Sequence, residues 1–442
     1  WLIVSEQHDD SEWAKAIADQ LESLGNRSIR VQLKKEGDIE LADSVVLCGN
    51  QAEAWQACWD HLAKDDAETP TPIDGILWLL PDHQTEPFET TESCCRSILN
   101  AVQTTLHRGQ RQLRCGIQWV TRQGIASSAG EKVDPWQAQY WGLGRVLAAE
   151  QPELRCRLLD VDAGKLPTGA VVDVMLTETR DHQILIRDGH FLVPRIMKAK
   201  VDTRRSGAFS TRQDRSYLVT GGLGKLGRQA AQWLLEKGAG QLILVSRRAP
   251  DASTEAWIKS LKGDIVIHAA DMTSTTDVEN LFKHFGQTWK PLGGVIHAAG
   301  VLDDALIESQ SWDRFRTVLA PKVVAANLLH EQTRSLDLDL FVLYSSAASV
   351  LGSPGQSNYA TGNAFLDGLA WQRRKEGLPA VSINWGPWTE GMADDERIIK
   401  RLALQGITPL TVDEAHAALE MILVSETTQA TVMDVDWRRM RT

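Results

Sequence analysis

Two hydroxyl side chains in the second half of this 442-residue sequence stand at a spacing suited to carbonyl chemistry. Ser346 ends the run Phe341-Val-Leu-Tyr-Ser-Ser346, and Tyr359 follows thirteen residues later in Gly352-Ser-Pro-Gly-Gln-Ser-Asn-Tyr-Ala-Thr-Gly-Asn-Ala-Phe365. A serine at a strand end and a tyrosine on the next helix can converge on one carbonyl oxygen. The phenol gives the proton as hydride arrives at carbon, and the serine holds the oxygen with a hydrogen bond. Asn363 sits at i+4 from Tyr359 and shares its helix face.

A phenol that titrates near about 10 is a poor acid at neutral pH, and a neighbouring ammonium would lower that value. Position 363 is asparagine and brings no such charge. Lys322 is the best upstream candidate, thirty-seven residues before Tyr359 in Phe315-Arg-Thr-Val-Leu-Ala-Pro-Lys-Val-Val-Ala-Ala-Asn-Leu-Leu329. Spacing alone fits an exposed lysine as well. Pro321 predicts a kink in this helix and a carbonyl freed one turn earlier.

A second set of residues reads as a cofactor cradle. The strand Tyr217-Leu-Val-Thr220 runs into Gly221-Gly-Leu-Gly-Lys-Leu-Gly227, and a helical stretch follows to Lys237. Gly-x-Gly-x-x-Gly between a strand and a helix lets backbone approach a pyrophosphate at the helix N-terminus. Thr220, Gly221, Gly222, Leu223, Gly224 and Leu226 are assigned to it. The next strand, Gln241–Ser246, ends in Arg247-Arg248 where an NAD site usually has an acid. Arginine matches a 2′-phosphate, so NADPH is expected, with Ser246, Arg247 and Arg248 around that phosphate. Asp271, followed by Met272, is placed near the adenine; a turn or capping role fits Asp271 nearly as well. His297-Ala298-Ala299-Gly300 ends another strand and should floor the cofactor, with His297 read as a packed, hydrogen-bonded histidine rather than a proton donor.

These residues need elements to hold them. Short apolar runs at Tyr217–Thr220, Gln241–Ser246, Asp264–Ala269, Gly294–Ala298, Leu338–Tyr344, Val381–Trp385 and Thr431–Trp437 alternate with amphipathic stretches, which predicts a doubly wound parallel sheet. The first half alternates too, at Leu2–Val4, Ser28–Val31, Ser44–Leu47, Gly75–Leu80, Gly116–Val120 and Ile184–Arg187, but its first strand runs into Glu-Gln-His-Asp-Asp with no glycine loop. The expected fold is α/β with two Rossmann-like units. Residues 198–216, basic and rich in Ser and Thr, read as the linker between them.

The bulk composition narrows the class. The chain is 43% hydrophobic and 24% charged, with a net charge of -11 that argues against general binding to nucleic acid or anionic membranes. No apolar run approaches the roughly 18 residues of a membrane span. The opening Trp-Leu-Ile-Val already reads as a strand, as in a piece of a longer polypeptide. Cys48, Cys58, Cys94, Cys95, Cys115 and Cys156 form no metal-binding or disulfide pattern, so no metal is expected and thiols in a reducing cytoplasm are.

With these residues in view, the sequence closely resembles the ketoreductase domain of modular type I polyketide synthases, within the short-chain dehydrogenase/reductase superfamily. The resemblance covers nearly the whole chain. It is carried by Tyr140-Trp-Gly-Leu-Gly-Arg-Val146, Glu150-Gln-Pro-Glu153 and Phe191-Leu-Val-Pro-Arg195, then by the glycine loop, Ser246-Arg-Arg248, His297-Ala-Ala-Gly300, Leu302-Asp-Asp304, Ser345-Ser-Ala-Ala-Ser349, the Tyr359 stretch and Asn384-Trp-Gly-Pro-Trp388. In that family the active-site lysine and asparagine have exchanged places relative to most short-chain reductases. The resemblance therefore implies a catalytic set of Tyr359, Ser346, Lys322 and Asn363, with Asn363 completing a polar proton relay. It also implies a truncated, cofactor-free structural subdomain over 1–205 and a catalytic NADPH-binding subdomain over 206–442.

Within the family, Leu302-Asp303-Asp304 marks the B-type, which resembles enzymes making the D-hydroxy product. Pro354 and Asn358 agree, and Leu351 stands where the A-type carries tryptophan. Asp303 and Asp304 could instead be a solvated loop. Trp388 and Met392 could contact the acyl chain or pack in the core. The implied substrate is a β-ketoacyl chain on the phosphopantetheine arm of an acyl carrier protein, with neighbouring synthase domains as further partners. A nucleotide-sugar epimerase shares the glycine loop but needs Tyr-x-x-x-Lys, which Asn363 denies. A redox-silent domain would commonly lose the loop or the tyrosine, and both are intact.

Overall fold

Apolar runs buried on both faces pair in parallel, and the chain makes two such sheets. The computed structural model describes residues 1–6, 11–34, 40–42, 45–62, 73–81, 87–108, 113–164, 166–199, 209–390, 396–425 and 427–440. The first sheet contains β1 (Leu2–Glu6), β2 (Ile29–Lys34), β3 (Glu40–Ala42), β4 (Val45–Gly49), β5 (Gly75–Leu79), β6 (Gly116–Arg122), β7 (Arg157–Val161), β8 (Gln183–Arg187) and β9 (His190–Leu192). Their order is β3-β4-β2-β1-β5-β6-β7-β8-β9. From β4 to β8 every pairing is parallel, and β3 and β9 add antiparallel edges. The truncation lies in one crossover: the connection from β2 to β4 carries the short strand β3 and, among the described residues, no helix.

The second sheet contains β10 (Ser216–Thr220), β11 (Gln241–Ser246), β12 (Ile265–Ala269), β13 (Leu292–His297), β14 (Leu340–Ser346), β15 (Val381–Trp385) and β17 (Gln429–Val432), all parallel, in the order β12-β11-β10-β13-β14-β15-β17. The strand order reverses beside β10, the strand that feeds the glycine loop, which is where doubly wound sheets open a crevice. A small ribbon of β16 (Ile407–Thr408) and β18 (Asp434–Val435) stands apart. The expected single strand over Thr431–Trp437 is thus two, because the chain leaves β17 at Val432 and re-pairs antiparallel in β18.

Both expected Rossmann-like units are present, each around its own core. Ile3, Leu77, Leu79, Val120, Leu159 and Val161 meet helix residues such as Ile17, Leu21 and Val171 in the first. Tyr217, Val219, Leu242, Leu244, Ile296 and Val342 meet Ala230, Trp233 and Leu234 in the second. The compact units are not divided by one cut. The first comprises Trp1–Ile196, Asp303–Arg316 and Leu351–Ala364; the second comprises Met197–Leu302, Thr317–Val350 and Phe365–Thr442. The sequence boundary expected at 205/206 lies outside the described residues.

The strand β7 has no counterpart among the strands expected from the sequence. Its run Arg157-Leu-Leu-Asp-Val161 is interrupted by a carboxylate, yet Asp160 is fully buried. The Arg187 guanidinium holds it at 2.5 Å, and Thr121 and the Gly124 amide also donate to it. No helix among the described residues is long and apolar enough to cross a membrane. None of the six cysteines is in a disulfide.

Candidate active site

In the second unit the glycine loop has the shape the sequence implies. Gly221 has φ +66, and a Cβ there would press on Ala299 Cα at 2.8 Å, so the loop rests on the floor that ends β13. A Cβ on Gly227 would strike the Gly221 carbonyl, which fixes the close approach of helix Lys225–Glu236 to the loop. A Cβ on Gly224 would meet only the Gly221 carbonyl, at 3.2 Å, and this residue caps the helix without a side-chain hydrogen bond. Helix amides without a side-chain cap suit a pyrophosphate. Leu223, Leu226 and Ala298 pack against the core beneath, and Met272 is buried.

The rim of this cradle is basic. Arg247 and Arg248 are exposed just past β11, and the Ser246 hydroxyl accepts the Arg248 amide at 3.2 Å. Asp271 spends one carboxylate oxygen on a turn, accepting from the Thr273 amide at 3.0 Å and the Thr273 hydroxyl at 2.8 Å. Those bonds, chiefly the one from the amide, hold its carboxyl below the ordinary range, and Arg247 adds to the effect. His297 is fully buried, and its Nδ1 lies 2.7 Å from the Thr220 hydroxyl. Burial first, then the nearby Lys322 charge, pushes its imidazole down to about 3. A ring so reluctant to take a proton is a structural link between β10 and β13.

Lys322 lies in a π turn, Ala320–Val324, between helices Trp312–Leu319 and Ala325–Thr333. Pro321, lacking an N–H, breaks the α ladder there, and the chain takes a π turn at that point. The lysine is 3% exposed, so it does not point into bulk water. Its Nζ donates to the Tyr344 carbonyl at 2.7 Å, and a Cβ on Gly300 would come within 3.4 Å of the same nitrogen. The amine therefore sits between the carboxyl ends of β13 and β14. Burial pulls it down to about 7, while Asp367 pulls the other way.

Ser346 ends β14 half-buried, its hydroxyl accepting the Ala348 amide at 3.2 Å. A hydroxyl that accepts one bond still has a proton to donate. Behind it, buried Asp367 accepts from the Ser349 hydroxyl at 2.7 Å, the Ser382 hydroxyl at 2.6 Å and the Asn384 amide at 2.8 Å. Asn384 also donates to the Ser345 hydroxyl at 3.0 Å. This network locks the end of β14 to β15.

In the first unit, Tyr359 and Asn363 lie on helix Ser357–Lys375, with the phenol side chain half-buried. The Asn363 amide donates to the Tyr359 carbonyl one turn back, at 2.8 Å. The Asp303–Asp304 loop carries several hydrogen bonds, while Asp304 stays exposed. Asp303 pairs with Arg314 at 2.6 Å, and Arg314 also donates to the Asp304 carbonyl at 2.9 Å. Asp304 accepts from Gln356 at 3.0 Å. Asn358 donates to the Asp303 carbonyl at 2.9 Å and accepts the Tyr359 amide at 2.8 Å. The turn carrying Pro354, which is exposed, runs between Gly352 and Gly355, with φ of +75 and +85. Leu302 is exposed and belongs to the second unit.

Trp388 is 3% exposed and packs edge-to-face on Trp385, with ring centroids 5.0 Å apart. That leaves it little surface for an acyl chain. Met392 lies outside the described residues. Sequence reasoning passes over Asp367, Arg314, Gln356 and the bonding role of Glu150. A lone acid on an apolar helix face is the visible signal for Asp367. Gln356 and Glu150 act through partners far along the chain, and Arg314 acts on a loop ten residues back at no helical or strand period, so no local pattern announces them. Among the described residues no cluster of acids, histidines and cysteines could hold a metal.

Comparison with known proteins places this geometry. The model of the KR domain family matches residues 215–390, and that of the polyketide synthase extender module SpnB Rossmann fold domain matches residues 21–196. Polyketide synthase GfsA of Streptomyces halstedii is 36% identical over 392 residues, covering 85% of this chain and 5% of that protein. Erythronolide synthase EryA3 of Saccharopolyspora erythraea is 35% identical over 404 residues, covering 90% of this chain and 12% of that protein. The chain thus spans a small part of the curated relatives it matches. A solved structure described as an A-type ketoreductase from a modular polyketide synthase is 30% identical with a TM-score of 0.83, covering 99% of this chain and 90% of that one.

Proposed function

We propose, for a chain that belongs to the ketoreductase domains of modular polyketide synthases, the NADPH-dependent reduction of a β-ketoacyl chain on an acyl carrier protein to its D-β-hydroxyacyl product. The observation that carries this reading is the buried Lys322 amine, anchored to the Tyr344 carbonyl beside Gly300 at the ends of β13 and β14. A lysine taken out of water at the mouth of a doubly wound sheet is an expensive arrangement without a chemical use.

In this reading Thr220 to Leu226 cradle the pyrophosphate, and Ser246, Arg247 and Arg248 take the 2′-phosphate. Asp271 and Met272 line the adenine side, and His297, Ala298 and Ala299 form the floor. A nicotinamide bound there would supply the hydride. The chain's own residues handle the oxygen. Ser346 donates to the substrate carbonyl, Tyr359 gives it a proton, Lys322 makes the phenol a stronger acid, and Asn363 completes the hydrogen-bonded network behind the phenol. Leu302, Asp303, Asp304, Pro354 and Asn358 set the side from which the acyl chain enters, giving the B-type outcome. The bonds that hold Asp303 and Asp304 support this, since a fixed loop can bias entry and a floating one cannot.

The division into a structural subdomain over 1–205 and a catalytic one over 206–442 belongs to the same proposal, as do a cytoplasmic setting and neighbouring synthase domains. The test is direct. The chain is mixed with NADPH or NADH and a short β-ketoacyl thioester, nicotinamide absorbance is followed, and the product's configuration is determined. Preference for NADPH and a D-hydroxy product are expected. Preference for NADH would defeat the Arg247 argument, and an L-hydroxy product the B-type assignment.

A further inference from the structure

We infer that Glu150, in the half of the chain without a glycine loop, is a positioning residue for stereocontrol: its carboxylate fixes the Asp303–Asp304 loop against the turn that begins the Tyr359 helix. The inference rests on the ketoreductase reading above. Glu150 is the last residue of helix Pro135–Glu150. Its Oε2 accepts the Ile307 amide at 2.6 Å, and its Oε1 accepts the Gly355 amide at 2.7 Å. Ile307 opens the short 3₁₀ helix Ile307–Ser309, so its N–H has no acceptor within that helix. Gly355 is a turn residue in the left-handed region. One carboxylate thus joins two loops that come from distant parts of the sequence.

Two charge-assisted bonds from a single rigid arm restrict distance and angle together, which neutral loop-to-loop bonds do poorly. The two segments do bond each other, Ala305 amide to Gly355 carbonyl at 2.8 Å and Asn358 to the Asp303 carbonyl at 2.9 Å. Glu150 adds an external reference for both. Its helix also touches the reacting segment directly: a Cβ on Gly142 would strike the carbonyl of Ala360, the neighbour of Tyr359. Burial raises the Glu150 carboxyl above its ordinary range although both amides pull it down, so the carboxylate is held at a cost. The loop sets where the acyl chain enters and Tyr359 sets where the proton is delivered. Play between them would let both carbonyl faces meet hydride.

Two measurements test this. In the unaltered chain, hydrogen exchange at the Ile307 and Gly355 amides should be slow and matched; exchange at open-loop rates would overturn the clamp without any variant. The substitutions Glu150→Gln and Glu150→Asp each lose at least one of the two bonds. For a folded variant, kcat should fall about tenfold and the minor hydroxy enantiomer should rise about fivefold, with NADPH affinity within about twofold. A brace that served folding alone would lower Tm and leave the enantiomer ratio unmoved, and that result sinks the inference. If Glu150→Gln does not fold, Glu150→Asp and the exchange measurement decide. An unaltered chain that reduces no thioester counts against the ketoreductase reading, while the exchange experiment still judges the clamp.

Discussion

Each sheet keeps a buried cation at its carboxyl end, and the two are held in opposite ways. Arg187 closes β8 in the first unit, 2.5 Å from Asp160 and 2.7 Å from Glu131. Burial works to lower its guanidinium, but the two carboxylates outweigh it and hold it above its ordinary value. The same burial pushes Asp160 up to about 6. Lys322, in the second unit, is anchored to a carbonyl, and burial wins, bringing it to about 7. A guanidinium saturated by carboxylates is cement. An amine balanced near neutrality can shift a neighbour's proton. The same kind of sheet, used twice, thus carries a carboxylate-saturated cation at the end of β8 and an amine held near neutrality beside β14.

The comparison can be broken most forcefully at Lys322. Lys322→Met should cut kcat by about 10³-fold, the scale of a general-acid contribution. It should also raise Tm, since a costly buried charge is gone. The sign follows from the titration: the folded-state value of about 7 lies below the ordinary 10.5, so the unfolded chain binds more protons between those values. Stability of the unaltered protein should climb with pH across that window, and the variant should lose the climb. Retained activity would end the comparison.

Asp160→Ala should do the reverse. Removing one partner of a buried pair costs about 3 kcal/mol, read as a lower midpoint in denaturant. NADPH affinity should stay unchanged by fluorescence titration, and a large loss of affinity would show that the ion cluster does more than brace the first unit. A smaller effect is expected from Gly227→Ala. The new methyl meets the Gly221 carbonyl, and NADPH affinity should fall about tenfold as the loop is forced off the helix.

The subtlest case is Asp367→Asn. Asp367 raises Lys322, so removing its charge should move the alkaline limb of the kcat/KM profile to lower pH by about half a unit. A limb that does not move, in a folded variant, would mean that Asp367 serves only the hydroxyl network at the end of β14.

Local patterns carried much of the fold. The apolar run Leu242–Val245 became the centre of a strand with the expected limits, Gln241–Ser246, because a strand buried on both faces of a parallel sheet favours continuous apolar residues. Val381–Trp385 also kept its limits, although Ser382 and Asn384 interrupt it; both are buried and bonded to Asp367. β7 escaped because Asp160 breaks its run, and partners from β6, β8 and the Gly124 amide make that acid tolerable. Asp303 and Asp304 stand in the motif that the resemblance marks for stereocontrol, with a solvated loop as the alternative; their bonds to Arg314 and Gln356 are not announced by their immediate neighbours.

By itself the sequence determined which residue types stand at spacings that suit this chemistry. The glycines Gly221 to Gly227, the strand-end Ser346, the helix pair Tyr359 and Asn363 and the arginines after β11 follow from residue type and spacing of a few positions, which backbone geometry converts directly into place. Tertiary structure alone decided what those groups became. The burial of Lys322, its carbonyl anchor, the Asp367 network and the Glu150 clamp all depend on desolvation and on partners far apart in sequence. A charge's free energy is set by what surrounds it in space, and no stretch of neighbours along the chain contains that information.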